Sequence, residues 1–142
     1  MKDSELDKLI LKIEARSSAE LKKHTEGPGT RYVFADHKNN PQGNIYSIVR
    51  IVKDVDNPRT HIELHSHNCD SLWEFLGDND DLTGLRVEVT LEHKKYVLDS
   101  PVSVYIPKQV NHTYRFINGS GKYINTVLAK DGKYNTTITE DL

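Results

Sequence analysis

The sequence predicts an all-β fold, a sandwich or barrel, preceded by one amphipathic α-helix. Three observations carry this expectation. Turn clusters rich in Gly, Pro, Asn and Asp recur about every ten residues once the first thirty are past. Between them lie short runs that alternate apolar and polar side chains, most strictly Arg86 to Glu92 (RVEVTLE), as a strand with one buried face must. The chain of 142 residues also fits one domain with a real core.

The helix is read over residues 3 to 24. Leu6, Leu9, Ile10, Ile13 and Leu21 recur at steps of three and four with charges between them. Ser4 and Asp7 stand three apart, as in an acidic capping box, and Gly27-Pro28-Gly29 stops the segment. The chain thus divides into residues 1–26, a helix packed on the barrel or on a dimer partner, and residues 30–142, a single β domain. Tyr32 to Phe34 is short and strand-like, and Ile45 to Val52 is rich in β-branched residues. His61 to His67 alternates, Leu72 to Leu76 is apolar, and Gly77 to Asp81 is an acidic turn. After Arg86 to Glu92 come Tyr96 to Leu98, Val102 to Ile106 before Pro107, His112 to Ile117, and Tyr123 to Leu128. Asn118-Gly119-Ser120-Gly121 reads as a turn between the last two, and the polar last ten residues are expected across the outside of the barrel.

Composition narrows the functions. With 36% hydrophobic and 28% charged residues, no apolar run is long enough to span a membrane. The 19 basic residues are scattered and the net charge is -2, so there is no basic face of the kind nucleic acid requires. No secretory signal follows Met1, and the single cysteine, Cys69, allows no internal disulfide, so the cytoplasm is the expected compartment.

The chemistry concentrates in HIELHSHNCD, residues 61–70. Side chains on a strand alternate, so His61, Glu63, His65 and His67 are expected on one face and Ile62, Leu64 and Ser66 on the other. Two imidazoles two residues apart offer a metal a pair of nitrogen donors. His112, at the start of a later strand, is the candidate third donor and shares its face with Tyr114 and Phe116. His24, His37 and His93 fall near loops or turn tips, where polar residues are by default at the surface.

These residues resemble the two motifs of the cupin superfamily, small single-domain β-barrels of the jelly-roll, or double-stranded β-helix, type. The first motif is H-x-H, a glutamate, six residues and a glycine; His65-Ser66-His67 and Gly77 match it. The second is P-x-G-x-x-H; Pro107 to His112 matches it, with Gln109 where glycine is usual. The turn before His112 must then avoid a positive φ or bear strain. The resemblance covers residues 45–130 and implies one divalent ion, Fe, Mn, Ni or Zn, on His65, His67 and His112. The carboxylate position is open. Asp70 lies where the spacing from Gly77 puts the family's glutamate, Glu74 would share its face, and a site of three histidines is the third option.

Around such an ion, Tyr114 and Glu74 are the candidate catalytic residues, and Glu63, Arg50 and Tyr46 the candidate substrate contacts, with Arg50 suited to an anion. Trp73 is read as pointing outward, toward the helix or a second subunit. The resemblance implies an enzyme of oxygenase, isomerase, epimerase or lyase type acting on a small polar or anionic metabolite, commonly as a homodimer. The other reading is a module that binds or senses a small molecule without turning it over.

Overall fold

The computed structural model describes residues 1–129, Tyr134 and the Ile138–Thr139 pair. Its elements are α1 (Asp3–Asp7), β1 (Glu14–Ala15), β2 (Thr30–Ala35), β3 (Tyr46–Asp56), β4 (Ser66–His67), β5 (Ser71–Gly77), β6 (Leu85–Leu91), β7 (Lys94–Asp99), β8 (Val102–Ile106), β9 (His112–Val127) and β10 (Ile138–Thr139). A single 3-10 turn spans Ser18–Glu20. All pairings are antiparallel, and the all-β barrel read from the sequence is the fold found.

β9 is the strand on which the others are hung. Its second half lies between β3 and β5, its first half pairs with β6, and β1, β2, β7 and β8 extend the sheet outward. Every second residue of β9 points inward, and His112, Tyr114, Phe116, Tyr123 and Val127 are buried. They meet Val33, Ile48, Trp73, Phe75, Val87 and Val89 from the other strands. Burial of this apolar area is what stabilises the closed shape, at roughly 25 cal/mol per Å².

Asn118-Gly119-Ser120-Gly121 is not a turn; it lies within β9. Gly119 adopts φ 105°, and the register slips beside it against both β3 and β6. The glycine lets one strand bend from one layer into the other, which local composition reads as a chain reversal. The helix is likewise shorter than its periodicity. Only Asp3–Asp7 is helical, capped by Lys2 without a side-chain cap, so Ser4 caps nothing. Leu6, Leu9, Ile10 and Ile13 are exposed; a helical stripe without a surface to cover has little to hold it. Instead Glu14 and Ala15 pair with β2, and buried Arg31 donates to the Glu20 carboxylate at 2.9 Å. The Arg16 guanidinium pairs with Asp36. Residues 14–26 therefore belong to the barrel.

The parity of β5 is opposite to expectation. Ser71, Trp73, Phe75 and Gly77 face in, while Leu72 and Glu74 face out. Trp73 is 2% exposed and supplies no surface to a helix or a second subunit. Of the last ten residues, Tyr134 is buried rather than lying outside, and the backbone of Ile138–Thr139 pairs with β4. The rest of that expectation lies outside the described residues. No helix among the described residues is long and apolar enough to cross a membrane.

A side chain at Gly119 would meet the Gly84 carbonyl oxygen at 2.0 Å in a backbone conformation that L residues rarely adopt. Gly119→Ala is expected to cost about 3 kcal/mol, a fall in melting temperature of roughly 6–12 °C by calorimetry. An unchanged melting temperature would mean that β9 does not need its bend.

Candidate metal centre

His65 and His112 sit opposite each other on neighbouring backbone segments. The His112 amide donates to the His65 carbonyl at 2.8 Å, and the His65 amide returns a bond at 3.3 Å. His67 follows two residues later on β4, where the Gln109 amide donates to its carbonyl at 2.7 Å. These bonds clip the loop before β9 onto the H-x-H segment. Gln109 has φ 70°, so it occupies the left-handed region that the family motif gives to glycine and bears that strain.

The three imidazoles are 1–2% exposed, and their donor atoms all lie within 4.8 Å of one another. Nδ1–H of His65 donates to the Glu63 carbonyl at 2.6 Å, and Nδ1–H of His112 to the Val110 carbonyl at 2.9 Å. Each bond turns the Nε2 lone pair of its ring toward the interior. Nε2 of His65 and Nε2 of His67 are 3.1 Å apart. Ligands about 2.0–2.1 Å from one ion stand about 3 Å from each other, so the pair already has the spacing of two donors on one centre. Burial lowers the His65 imidazole below its usual range and brings His112 down to about 4. Both rings are neutral at pH 7, the state that binds metal. The donor set fits a first-row divalent ion.

Neither carboxylate joins the cluster. Asp70 is exposed; the Tyr105 hydroxyl and the Lys108 amide donate to it, and the Tyr105 bond holds its carboxyl below the usual range. Glu74 is on the outer face of β5, with no path through the sheet. Glu63 is also turned outward, 3.9 Å from the Lys23 ammonium. Residues 61–65 make single bridges rather than a regular strand, so alternation fails there; Ile62 is in the core and Glu63 at the surface. The arrangement among the described residues is therefore three histidines without a carboxylate.

Two groups near the histidines carry no signal in the sequence. His24 stands edge-on to His65, with ring centroids 5.3 Å apart. The Tyr134 hydroxyl lies 2.8 Å from Nε2 of His67 and 3.3 Å from Nε2 of His65. Tyr134 is an aromatic residue in a polar tail, and only its isolation there marks it. Its ring stacks on Tyr46 at 4.4 Å, and Arg31 donates to the Tyr46 hydroxyl at 2.9 Å.

Beside Tyr134 is a cavity of about 20 Å³ whose lining includes Tyr46, Arg50, His61, Tyr114, Asn125 and Tyr134. That is room for one water. Arg50 is 1% exposed and donates to the Pro28 carbonyl at 2.8 Å, but no carboxylate of a described residue pairs with it. The Asn125 side-chain oxygen is buried without a partner. The Tyr114 hydroxyl is 3.5 Å from Nε2 of His61.

No protein-family model and no curated protein sequence matches the chain. Solved structures do. KdgF from Halomonas sp. has a TM-score of 0.55 at 14% identity, over 83% of this chain and 90% of that one. FeII HppE has a TM-score of 0.56 at 13% identity, over 83% of this chain and 59% of that one. A Trp-to-Tyr variant of oxalate decarboxylase from Bacillus subtilis has a TM-score of 0.53 at 16% identity, over 92% of this chain and 33% of that one. The chain thus spans about a third of the decarboxylase. These are cupin-fold proteins, and the cupin fold is the fold of this chain.

Burial holds the His61 imidazole at about 3 against an ordinary 6.5, so folding favours its neutral form. That contribution to stability is present in full above pH 6.5 and is lost as pH falls from 6.5 toward 3. The melting temperature should drop across this window, and His61→Gln should flatten the drop. A variant whose pH profile parallels the wild type would assign the effect to other groups.

Proposed function

We propose that this protein is a mononuclear metal-dependent enzyme acting on a small anionic metabolite. The observation that carries the reading is the convergence of His65, His67 and His112, two of them with their outer nitrogens anchored to backbone carbonyls. The ion is one of Fe, Mn, Ni or Zn. When bound, it supplies Lewis acidity and open positions for substrate or dioxygen.

The rest follows from the chain's own residues. Arg50 is a buried cation without a carboxylate partner among the described residues, so an anion entering the interior replaces lost solvation with a charge-assisted bond. Tyr114 and His61 stand within reach of each other and can pass a proton beside that anion. Tyr46 forms the opposite wall. Oxalate decarboxylase is named for a small dianion and HppE is described with iron(II); both support the substrate class and the metal class proposed here. The single cysteine supports a reducing compartment, the cytoplasm. Exposed Leu9, Ile10 and Ile13 offer an apolar face for a homodimer, and twice the chain mass by light scattering is the expected result.

One observation favours a non-catalytic binding module as the second reading. The cavity has room for one water, little for a substrate to turn in. Saturable anion binding without turnover in the metal-loaded protein would select it.

Two measurements test the proposal. Tag-free protein should carry about one equivalent of metal by elemental analysis, and His67→Ala at least about tenfold less. Less than a tenth of an equivalent in both would sink the metal claim. Titration calorimetry with a panel of small carboxylates should find a binder that Arg50→Lys weakens about tenfold or more, as expected for a charge-assisted pair. Oxygen uptake with that binder separates the oxygenase class from isomerases, epimerases and lyases.

A further inference from the structure

Tyr134 is placed as a ligand would be. Its hydroxyl oxygen is 2.8 Å from one imidazole nitrogen and 3.3 Å from another, the same range as the 3.1 Å between those nitrogens. Three atoms with these mutual distances fit three neighbouring positions around one ion with bonds of about 2 Å. The ring is 5% exposed and is fixed from two directions. It stacks on Tyr46, whose hydroxyl is held by Arg31. Four residues on, the chain is paired with the metal-site strand, Ile138 opposite His67. No carboxylate of the described residues reaches the cluster, and no further His, Cys, Asp or Glu among them joins it.

We propose that Tyr134 is the fourth protein ligand, its phenolate oxygen binding the same ion as His65, His67 and His112. The inference rests on the metal reading given above. On binding, the O–H bond breaks, the proton leaves to solvent and the oxygen–metal bond forms, with no change of oxidation state. A hard oxyanion beside three imidazoles offsets one unit of the ion's charge, the part a carboxylate plays in a three-histidine, one-carboxylate site. Tyr134 and the Ile138–Thr139 backbone pairing with β4 thereby become linked through the metal site.

The test uses iron as the probe. The full chain is stripped of metal, loaded with iron(II) without oxygen, and then oxidised in air. A phenolate on iron(III) gives a visible charge-transfer band and a resonance-enhanced phenolate stretch, which imidazole and carboxylate ligands do not give. The wild type and Tyr46→Phe should both show the band. Tyr134→Phe should lose it and bind iron(II) at least about tenfold more weakly, the loss of the band being what separates a ligand from a group outside the coordination sphere. Circular dichroism checks that this variant is folded. About one equivalent of iron without the band in the wild type would overturn the Tyr134 ligand and leave the metal site standing. A band that survives in folded Tyr134→Phe would also overturn it. No iron in the wild type would remove both readings together.

Discussion

The site depends on one pair of backbone hydrogen bonds, those exchanged between His65 and His112. They join residues 47 positions apart in the chain, and each lies in a different sequence motif. Antiparallel neighbours that exchange such bonds have Cα atoms about 5.5 Å apart with their side chains on the same face. Once these two residues are opposite each other, both imidazoles point inward whatever the surrounding loops do. His67 then follows by strand alternation, and the Gln109 amide bond to its carbonyl keeps it in place. The glutamine's left-handed backbone is the strain that this clip requires, and the structure around it carries that cost.

The interior is polar for a barrel of this size, and its polarity is organised in charge rather than scattered. Arg31 is buried with a carboxylate and a tyrosine for partners. Arg50 is buried with the Pro28 carbonyl and the Tyr114 hydroxyl for partners, and no carboxylate of a described residue pairs with it. The difference separates a paired structural cation from the one that the proposed function gives an anion, because desolvating a guanidinium without a counter-charge is costly. The histidines follow the same logic in reverse. Burial keeps His65 and His112 neutral, which suits metal binding, and keeps His61 neutral beside Arg50.

How much of this was legible depended on whether a signal was local. Strand periodicity marked the barrel, and the spacing of His65, His67 and His112 marked the residues the fold brings together, because alternation and turn chemistry act over a few residues. Asp70 and Glu74 were misplaced by parity. The turn after His67 puts Ser71 and Trp73 inside, and a shift of one residue exchanges the faces of a whole strand. Gly119 looked like a turn because a bend within a strand and a reversal between strands use the same residues. Leu6, Leu9, Ile10 and Ile13 had the period of a helix but no surface to cover. Tyr134 was beyond local reading altogether; its place is set by a pairing with a strand some seventy residues earlier.

The stacked rings of Tyr134 and Tyr46 line the small cavity beside Arg50. Their packing has a consequence for rates. A molecule larger than water fits beside that arginine only when the side chains lining a cavity of about 20 Å³ change position. Association is then governed by an activation barrier inside the protein, not by diffusion to its surface. For the anion proposed above, the electrostatic attraction of Arg50 would act after that barrier, lengthening its residence without hastening its arrival. Such a site discriminates among ligands by how long they stay.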